Sequence, residues 1–164
     1  MKRIVILLVL GFGVLSASAQ QRFGYLNTQE LIVQMPDYAE AQKKHEGFQL
    51  EQQKKYETMV ASYQTKETAF QNGQMTMTET EKSMLYAELQ GLAQQIQQYE
   101  QTVPQLIQQH QSELIGKIVE KVQVAAQEVG AENGFIYIFD SNVLLYPGGG
   151  EDVTSLVKKK LGLL

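Results

Sequence analysis

The longest pattern along the chain is a repeat of apolar side chains spaced alternately by three and four residues. This spacing is typical of an amphipathic helix that pairs with another helix. The first repeat runs from residue 37 to about 71, where there is no proline and Gly47 is the only glycine. Polar Gln52 and Lys66 interrupt it. The predicted stripe consists of Tyr38, Ala41, His45, Phe48, Gln52, Tyr56, Met59, Tyr63, Lys66 and Phe70.

A second and longer repeat starts after a short break. Asn72 and Gly73 are predicted to end the first helix, with Gly73 in the left-handed conformation that glycine favours there. Thr78 and Glu81 have the spacing of a capping box, which predicts the start of the next helix. Its predicted stripe, which extends to about residue 129, consists of Leu85, Leu89, Leu92, Ile96, Tyr99, Val103, Leu106, His110, Leu114, Ile118, Val122, Ala125 and Val129.

Together the two repeats predict an antiparallel helical hairpin. A helix of ~50 residues is about 75 Å long, so the hairpin over residues 37–129 should project as an arm, with residues 74–77 at its tip. Pro104 lies within the second helix, where it removes one backbone hydrogen bond, and we expect a bend at that point.

Short β-prone segments lie at both ends of the hairpin. Residues 22–27 read as a strand, followed by a helix over residues 29–35 capped by Thr28, and Pro36 suits the first turn of the next helix. Residues 135–139 predict a second strand, and residues 140–142 a turn. Residues 143–146 predict a third strand that completes a β-hairpin. Asp152 is expected to cap a last helix ending near Leu161.

The fold class is therefore mainly α with a small β part, in which the strands meet at the base of the arm. We expect residues 20–36 and 130–164 to form this β-containing body. Three short strands make a small sheet that cannot stabilise itself, yet the strands are apolar on both faces. This combination predicts a homo-oligomer whose interface includes Phe23, Tyr25, Phe135, Ile136, Tyr137, Ile138, Phe139, Val143, Leu144 and Tyr146.

The first 19 residues have the features of a secretory signal peptide. Lys2 and Arg3 precede the apolar run 4–15, and Ala17-Ser18-Ala19 is a small-residue cleavage site. Cleavage is therefore expected near Ala19, which predicts an exported protein.

Charge and composition exclude several classes of function. Residues 1–19 carry two of the 14 basic residues and none of the 18 acidic ones, which leaves a formal charge of −6 on the rest. An acidic surface does not suit nucleic acid and argues against docking on anionic lipid. The chain has no cysteine, so it has no disulfide or thiolate metal site.

The sequence contains no recognisable catalytic group of residues. His45 and His110 both fall on the helical stripes, where a histidine ordinarily packs between helices. Residues 148–150 are three glycines without the lysine of a phosphate-binding loop, and residues 140–142 are too short for a calcium loop. We therefore expect no enzymatic activity, no metal and no cofactor.

Methionine and aromatic side chains are frequent along the arm. Flexible thioethers and amphipathic aromatics suit surfaces that accept many apolar sequences, although the same residues could simply pack the two helices together. The candidates for contact with an unfolded polypeptide are Tyr56, Met59, Tyr63, Phe70, Met75, Met77, Met84 and Tyr86.

The order of these elements resembles the Skp/OmpH family of periplasmic chaperones. The matching segments are residues 23–27, 35–41, 135–140, 142–146 and 152–157. The resemblance implies a periplasmic homotrimer that holds unfolded outer-membrane proteins between its arms without ATP. The acidic charge departs from the strongly basic members of that family. The alternative is a structural or adaptor coiled coil of the cell envelope, which would ordinarily keep a cleaner apolar heptad.

Overall fold

The computed structural model describes residues 21–164, so the predicted signal peptide lies outside the described residues. The elements are a set of short segments at both ends of the chain with two long helices between them. In chain order they are β1 (Arg22–Leu26), α1 (Thr28–Gln34), α2 (Pro36–Gly73), α3 (Glu79–Asn133), β2 (Phe135–Asp140), a short 3-10 helix (Ser141–Val143), β3 (Glu151–Asp152) and α4 (Thr154–Lys160).

Helices α2 and α3 form the expected antiparallel hairpin. The side chain of Lys121 contacts Asp37 near the base, Tyr99 contacts Gln52 midway, and Lys66 pairs with Glu88 toward the tip. As the position in α2 increases, the position of its partner in α3 decreases. Every residue of the predicted α2 stripe is buried or half-buried, including the two polar interruptions.

In α3 the stripe differs from the prediction at one position. Leu106 is exposed, whereas Ile107 is half-buried and takes its place between Val103 and His110. The step from Val103 is then four residues and the next is three, which keeps the stripe on one side of the helix. Pro104 lies inside a helix that is continuous to Asn133, and the bend at Pro104 stays a prediction.

The ends of the helices follow local capping chemistry. Pro36 is the first residue of α2, and Thr78 and Glu81 form the expected capping box. Gly73 does not have the predicted left-handed conformation, because α2 includes it and Gln74 is still right-handed. The left-handed terminus is instead at Gly134, with φ of 71°, which ends α3.

The short terminal helices begin one position away from the predicted caps. Asn27, rather than Thr28, caps α1, because its side-chain oxygen accepts a hydrogen bond from the Glu30 backbone N–H at 3.0 Å. Val153 precedes α4, but the Asp152 carboxylate still accepts from the Thr154 N–H at 2.9 Å.

The predicted β-hairpin over residues 135–146 is wrong. The three strands form a parallel sheet in the order β2-β1-β3, with Tyr25 opposite both Phe139 and Asp152. Parallel pairing of β1 and β2 is possible because the whole helical arm separates them, which is far longer than a crossover requires. Val143 belongs to the 3-10 helix, and Leu144 and Tyr146 follow in a loop outside the sheet.

The core lies where the sheet, α1, α4 and the base of the hairpin meet. Leu31, Val122, Val153 and Val157 are fully buried there. A Cβ atom at Gly24 would lie 3.1 Å from Val153 and 3.2 Å from Ile138, so the glycine lets β1 approach both neighbours closely. The described chain therefore has a single apolar core at one end and an extended hairpin at the other.

Candidate functional site

The predicted contact residues of the arm fall into two groups. Met75, at the tip, is 99% exposed, and Met84 and Tyr86, in the first turns of α3, are also exposed. These three side chains are large and apolar, and they lie far from the core at the base. They provide the type of surface that an apolar segment of another polypeptide can contact.

The other five arm candidates are half-buried: Tyr56, Met59, Tyr63, Phe70 and Met77. Met77 folds back over the last turn of α2, where its methyl group occupies the space beside Gly73. The Tyr56 hydroxyl donates to the Glu100 carboxylate at 2.6 Å, and this hydrogen bond raises the pKa of the Tyr56 phenol. These residues thus contribute to helix packing while part of each side chain stays accessible.

A mid-arm groove runs along one flank of the hairpin and encloses about 440 Å³. Its apolar surface includes two residues that were not singled out for contact, Val103 and Ile107. Beside it the hydroxyl of half-buried Tyr99 donates to Gln52, and partial burial is the main cause of the raised pKa of Tyr99. Val103 was predicted as a stripe residue. Helical periodicity cannot distinguish a position that packs between the helices from one that lines a groove.

A second apolar surface covers the outer side of the sheet. The Phe23 and Tyr137 rings stack with centroids 6.2 Å apart, and Phe139 lies 5.9 Å from Tyr137. All three are exposed, as is Ile136. We call this surface the aromatic face, and it is formed by Phe23, Tyr137 and Phe139. Ile136 instead borders a groove against α3, beside Gln123 and Ala126.

The remaining predicted interface residues lie in different surroundings. Phe135 is buried in the core, and the Arg22 guanidinium lies 4.3 Å from its ring centroid. Tyr25, Ile138 and Leu144 are half-buried within the same chain.

The loop after β2 is, by contrast, strongly exposed at Val143 and Tyr146, as well as at Leu145, which the prediction omitted. Leu145 lies within the apolar run 143–146, and this position in the run could have identified it as a candidate interface residue. This loop places a further cluster of apolar side chains in solvent, next to the β2 end of the sheet.

Charge is concentrated on the arm. Residues 36–133 carry 14 acidic and eight basic side chains, and residues 83–116 contain no lysine or arginine at all. Within residues 21–164, no group of three or more His, Asp or Glu side chains is arranged to hold a metal ion. No helix in that range is long and apolar enough to cross a membrane.

These features define a class of protein: a mainly α chain in which a long helical hairpin extends from a small parallel sheet. The family model described as "Outer membrane protein (OmpH-like)" matches residues 22–161. The chain belongs to this OmpH-like family.

Relatives with known names are similar over nearly the whole chain. The chain is 23% identical to "Chaperone protein Skp" of Photorhabdus laumondii, covering 94% of this chain and 93% of the relative. It is 25% identical to "Chaperone protein Skp" of Pectobacterium atrosepticum, covering 89% and 88%. The crystal structure of a protein described as an OmpH-like outer membrane chaperone, from Caulobacter crescentus, superposes with a TM-score of 0.68 at 12% identity, covering 87% and 85%. This last similarity confirms the fold.

Proposed function

We propose that this protein is an ATP-independent holding chaperone of the periplasm that binds unfolded outer-membrane proteins and prevents their aggregation. The observation that carries the proposal is the hairpin of an OmpH-like chain with Met75, Met84 and Tyr86 exposed around its outer end. Many weak apolar contacts suit a fluctuating polypeptide because they require no fixed geometry. They also let the bound chain leave when it reaches a better-folded state.

The two apolar surfaces suggest different roles for the body and the arm. Residues 20–36 and 130–164 form the body that self-associates, and residues 37–129 form the arm that holds the unfolded protein. The aromatic face and the exposed loop 143–146 supply the apolar area that a partner subunit would cover. Three copies would place three arms around one cavity, in line with the family to which the chain belongs.

The acidic arm changes the expected role of electrostatics. With 14 acidic against eight basic side chains over residues 36–133, long-range attraction should not drive capture of acidic proteins. Binding through apolar contacts predicts an affinity that changes little between low and physiological salt. Docking on anionic lipid is not part of this proposal.

Native mass spectrometry of the chain from Gln20 onward provides the test. A β-barrel outer-membrane protein unfolded in urea would be diluted into the sample, and complexes would be counted by mass. Three subunits with one unfolded protein is the expected species. An oligomer that never carries the unfolded protein, while that protein precipitates, would contradict the holding role and favour an envelope scaffold.

A triple substitution of the exposed arm residues localises the contact. Replacing Met75, Met84 and Tyr86 with serine should leave the oligomer intact and weaken capture, because the apolar contact area is lost while the sheet is untouched. The matched control replaces exposed Leu50, Leu106 and Val124, which lie elsewhere on the hairpin. Equal loss of capture in both variants would show that the tip has no special role.

A further inference from the structure

The two histidines of the sequence meet across the hairpin. His45 in α2 and His110 in α3 place their Nδ1 atoms 3.4 Å apart. The ring planes differ by 18°, with centroids 5.7 Å apart, and both side chains are half-buried. Two imidazole nitrogens therefore face each other between helices, at a level about one quarter of the way along α2.

Neighbouring side chains restrict the orientation of both rings. Phe48 stacks on the His110 ring at a centroid distance of 4.1 Å and an angle of 8°. The Gln49 side-chain nitrogen lies 3.1 Å from Nε2 of His45, the ring nitrogen that points away from His110. In histidines that bind metals, the second ring nitrogen ordinarily donates its hydrogen to a neighbouring acceptor, which fixes the tautomer and the direction of the ring.

Two facing imidazole nitrogens need a proton or a cation between them. Without a cation, one Nδ1 carries hydrogen and donates to the other, which accepts. With both rings in the Nε2–H tautomer, each Nδ1 offers a lone pair, and borderline transition-metal ions are bound by such nitrogens. Tetrahedral Zn²⁺ with Zn–N bonds of about 2.0–2.1 Å requires its two nitrogens to lie about 3.3–3.4 Å apart. The spacing of 3.4 Å matches this distance. Because the two Nδ1 atoms point directly at each other, both rings would turn to aim their lone pairs at an ion beside that line.

We propose that His45 and His110 form a two-histidine site for Zn²⁺ that cross-links α2 and α3. The ion would lie beside the line that joins the two Nδ1 atoms, and water would complete its coordination. The Gln49 amide would turn so that its oxygen accepts a hydrogen bond from His45 Nε2–H. The adjacent Lys44 is already paired with Glu40 at 2.7 Å, so its ammonium charge is partly offset.

The bound ion would stabilise the hairpin close to a polar interruption of the α2 stripe. The stripe contains Gln52 one turn beyond Phe48, so apolar burial is limited in this part of the arm. A metal that binds the folded hairpin and not the unfolded chain raises stability, and the gain grows with the logarithm of the free metal concentration once that exceeds the Kd. With only two protein ligands, binding should be reversible, and the arm would be stiffer when zinc is present.

Isothermal titration of the untagged chain from Gln20 onward with ZnCl₂ tests the site directly. We expect one Zn²⁺ per chain. His45→Gln and His110→Gln should each weaken binding by at least about 100-fold, since each removes one of two ligands, and Gln49→Ala by about 10-fold through loss of orientation. Glutamine is a good helix former, and far-UV circular dichroism will check that both variants keep their helices.

A second readout makes the result independent of the variants. In the wild-type protein, Zn²⁺ should shift the imidazole proton resonances of both histidines at the same metal concentration. Unchanged Zn²⁺ binding in the two glutamine variants, or resonances that do not move in the wild type, would overturn the proposal. No unfolded protein is present in either experiment, so its outcome does not depend on the holding function.

Discussion

The hydrogen bond between Tyr99 and Gln52 should be the most sensitive polar contact of the arm. Gln52 is only 7% exposed, and its side-chain oxygen accepts from the Tyr99 hydroxyl at 2.8 Å. Tyr99→Phe removes the donor and leaves that oxygen buried without its partner. Leaving a buried acceptor unpaired costs about 1–3 kcal/mol, so the free energy of unfolding should fall by that amount.

Urea denaturation followed by circular dichroism measures this loss. With a slope of about 2 kcal/mol per molar urea, the unfolding midpoint should fall by about 0.5–1.5 M. Two protein concentrations should be compared, because self-association also raises apparent stability. The Lys55 ammonium lies 5.2 Å from the Tyr99 ring centroid, and this contact is retained by phenylalanine, so the measured change reports the hydroxyl.

Two further variants decide whether burial is the cause. Tyr56→Phe removes a shorter hydrogen bond, 2.6 Å to Glu100, but at a solvated position, so its effect on stability should be smaller. Gln52→Leu added to Tyr99→Phe replaces both partners by apolar groups and should restore most of the lost stability. A larger loss of stability in Tyr56→Phe than in Tyr99→Phe, or no recovery in the double variant, would show that burial of the Gln52 oxygen is not the cause.

Three other outcomes test the body of the molecule. Tyr137→Glu should abolish self-association in native mass spectrometry by placing a charge on the aromatic face, whereas Leu50→Glu on the arm should not. The hydrogen bond from Lys158 lowers the pKa of Glu30 below its ordinary 4.5. The stability that this ionised carboxylate contributes is therefore complete above pH 4.5 and is lost as the pH falls through the pKa of Glu30 in the folded protein. In urea denaturation, Glu30→Gln should be less stable than wild type at about pH 7, and the difference should disappear in acid. Gly134→Ala should reduce stability by about 1–2 kcal/mol in the same assay, because alanine is strained at φ of 71°.

Most of the helical architecture could be predicted because helix caps are local in sequence and the apolar repeats extend over many turns. The capping residues Thr78 and Glu81 fix the start of α3, and Pro36 fixes the start of α2. The prediction chose Leu106 instead of Ile107 because the two are adjacent and both apolar. Only packing against α2 determines which of them is buried. Periodicity gives the side of a helix, and packing decides individual positions.

The sheet was predicted less well because strand partners depend on contacts far apart in sequence. Asp140 forms the expected turn by accepting from the Asn142 N–H at 2.9 Å, but the apolar run 143–146 does not return along β2. Instead Glu151 and Asp152, which have no β preference, pair with β1. A pattern of apolar residues cannot distinguish a strand from a loop whose side chains are exposed in the isolated chain. The exposure of Met75, Met84 and Tyr86 likewise could not be predicted from the sequence, because it depends on how the two helices pack near the tip.

The polar interruptions of the α2 stripe explain how a weakly apolar hairpin keeps one alignment. Gln52 pairs with Tyr99 and Lys66 with Glu88, at 2.8 and 2.6 Å. A slip of α3 by one turn would separate both pairs and leave the amide of Gln52 buried without a partner, whereas a uniform leucine stripe would tolerate the same slip. Alignment is thus specified by polar contacts at a few positions, so it does not require that all large apolar side chains be buried between the helices. Met75, Met84 and Tyr86 can therefore stay exposed without loss of the fold, which is the condition that contact with an unfolded protein requires.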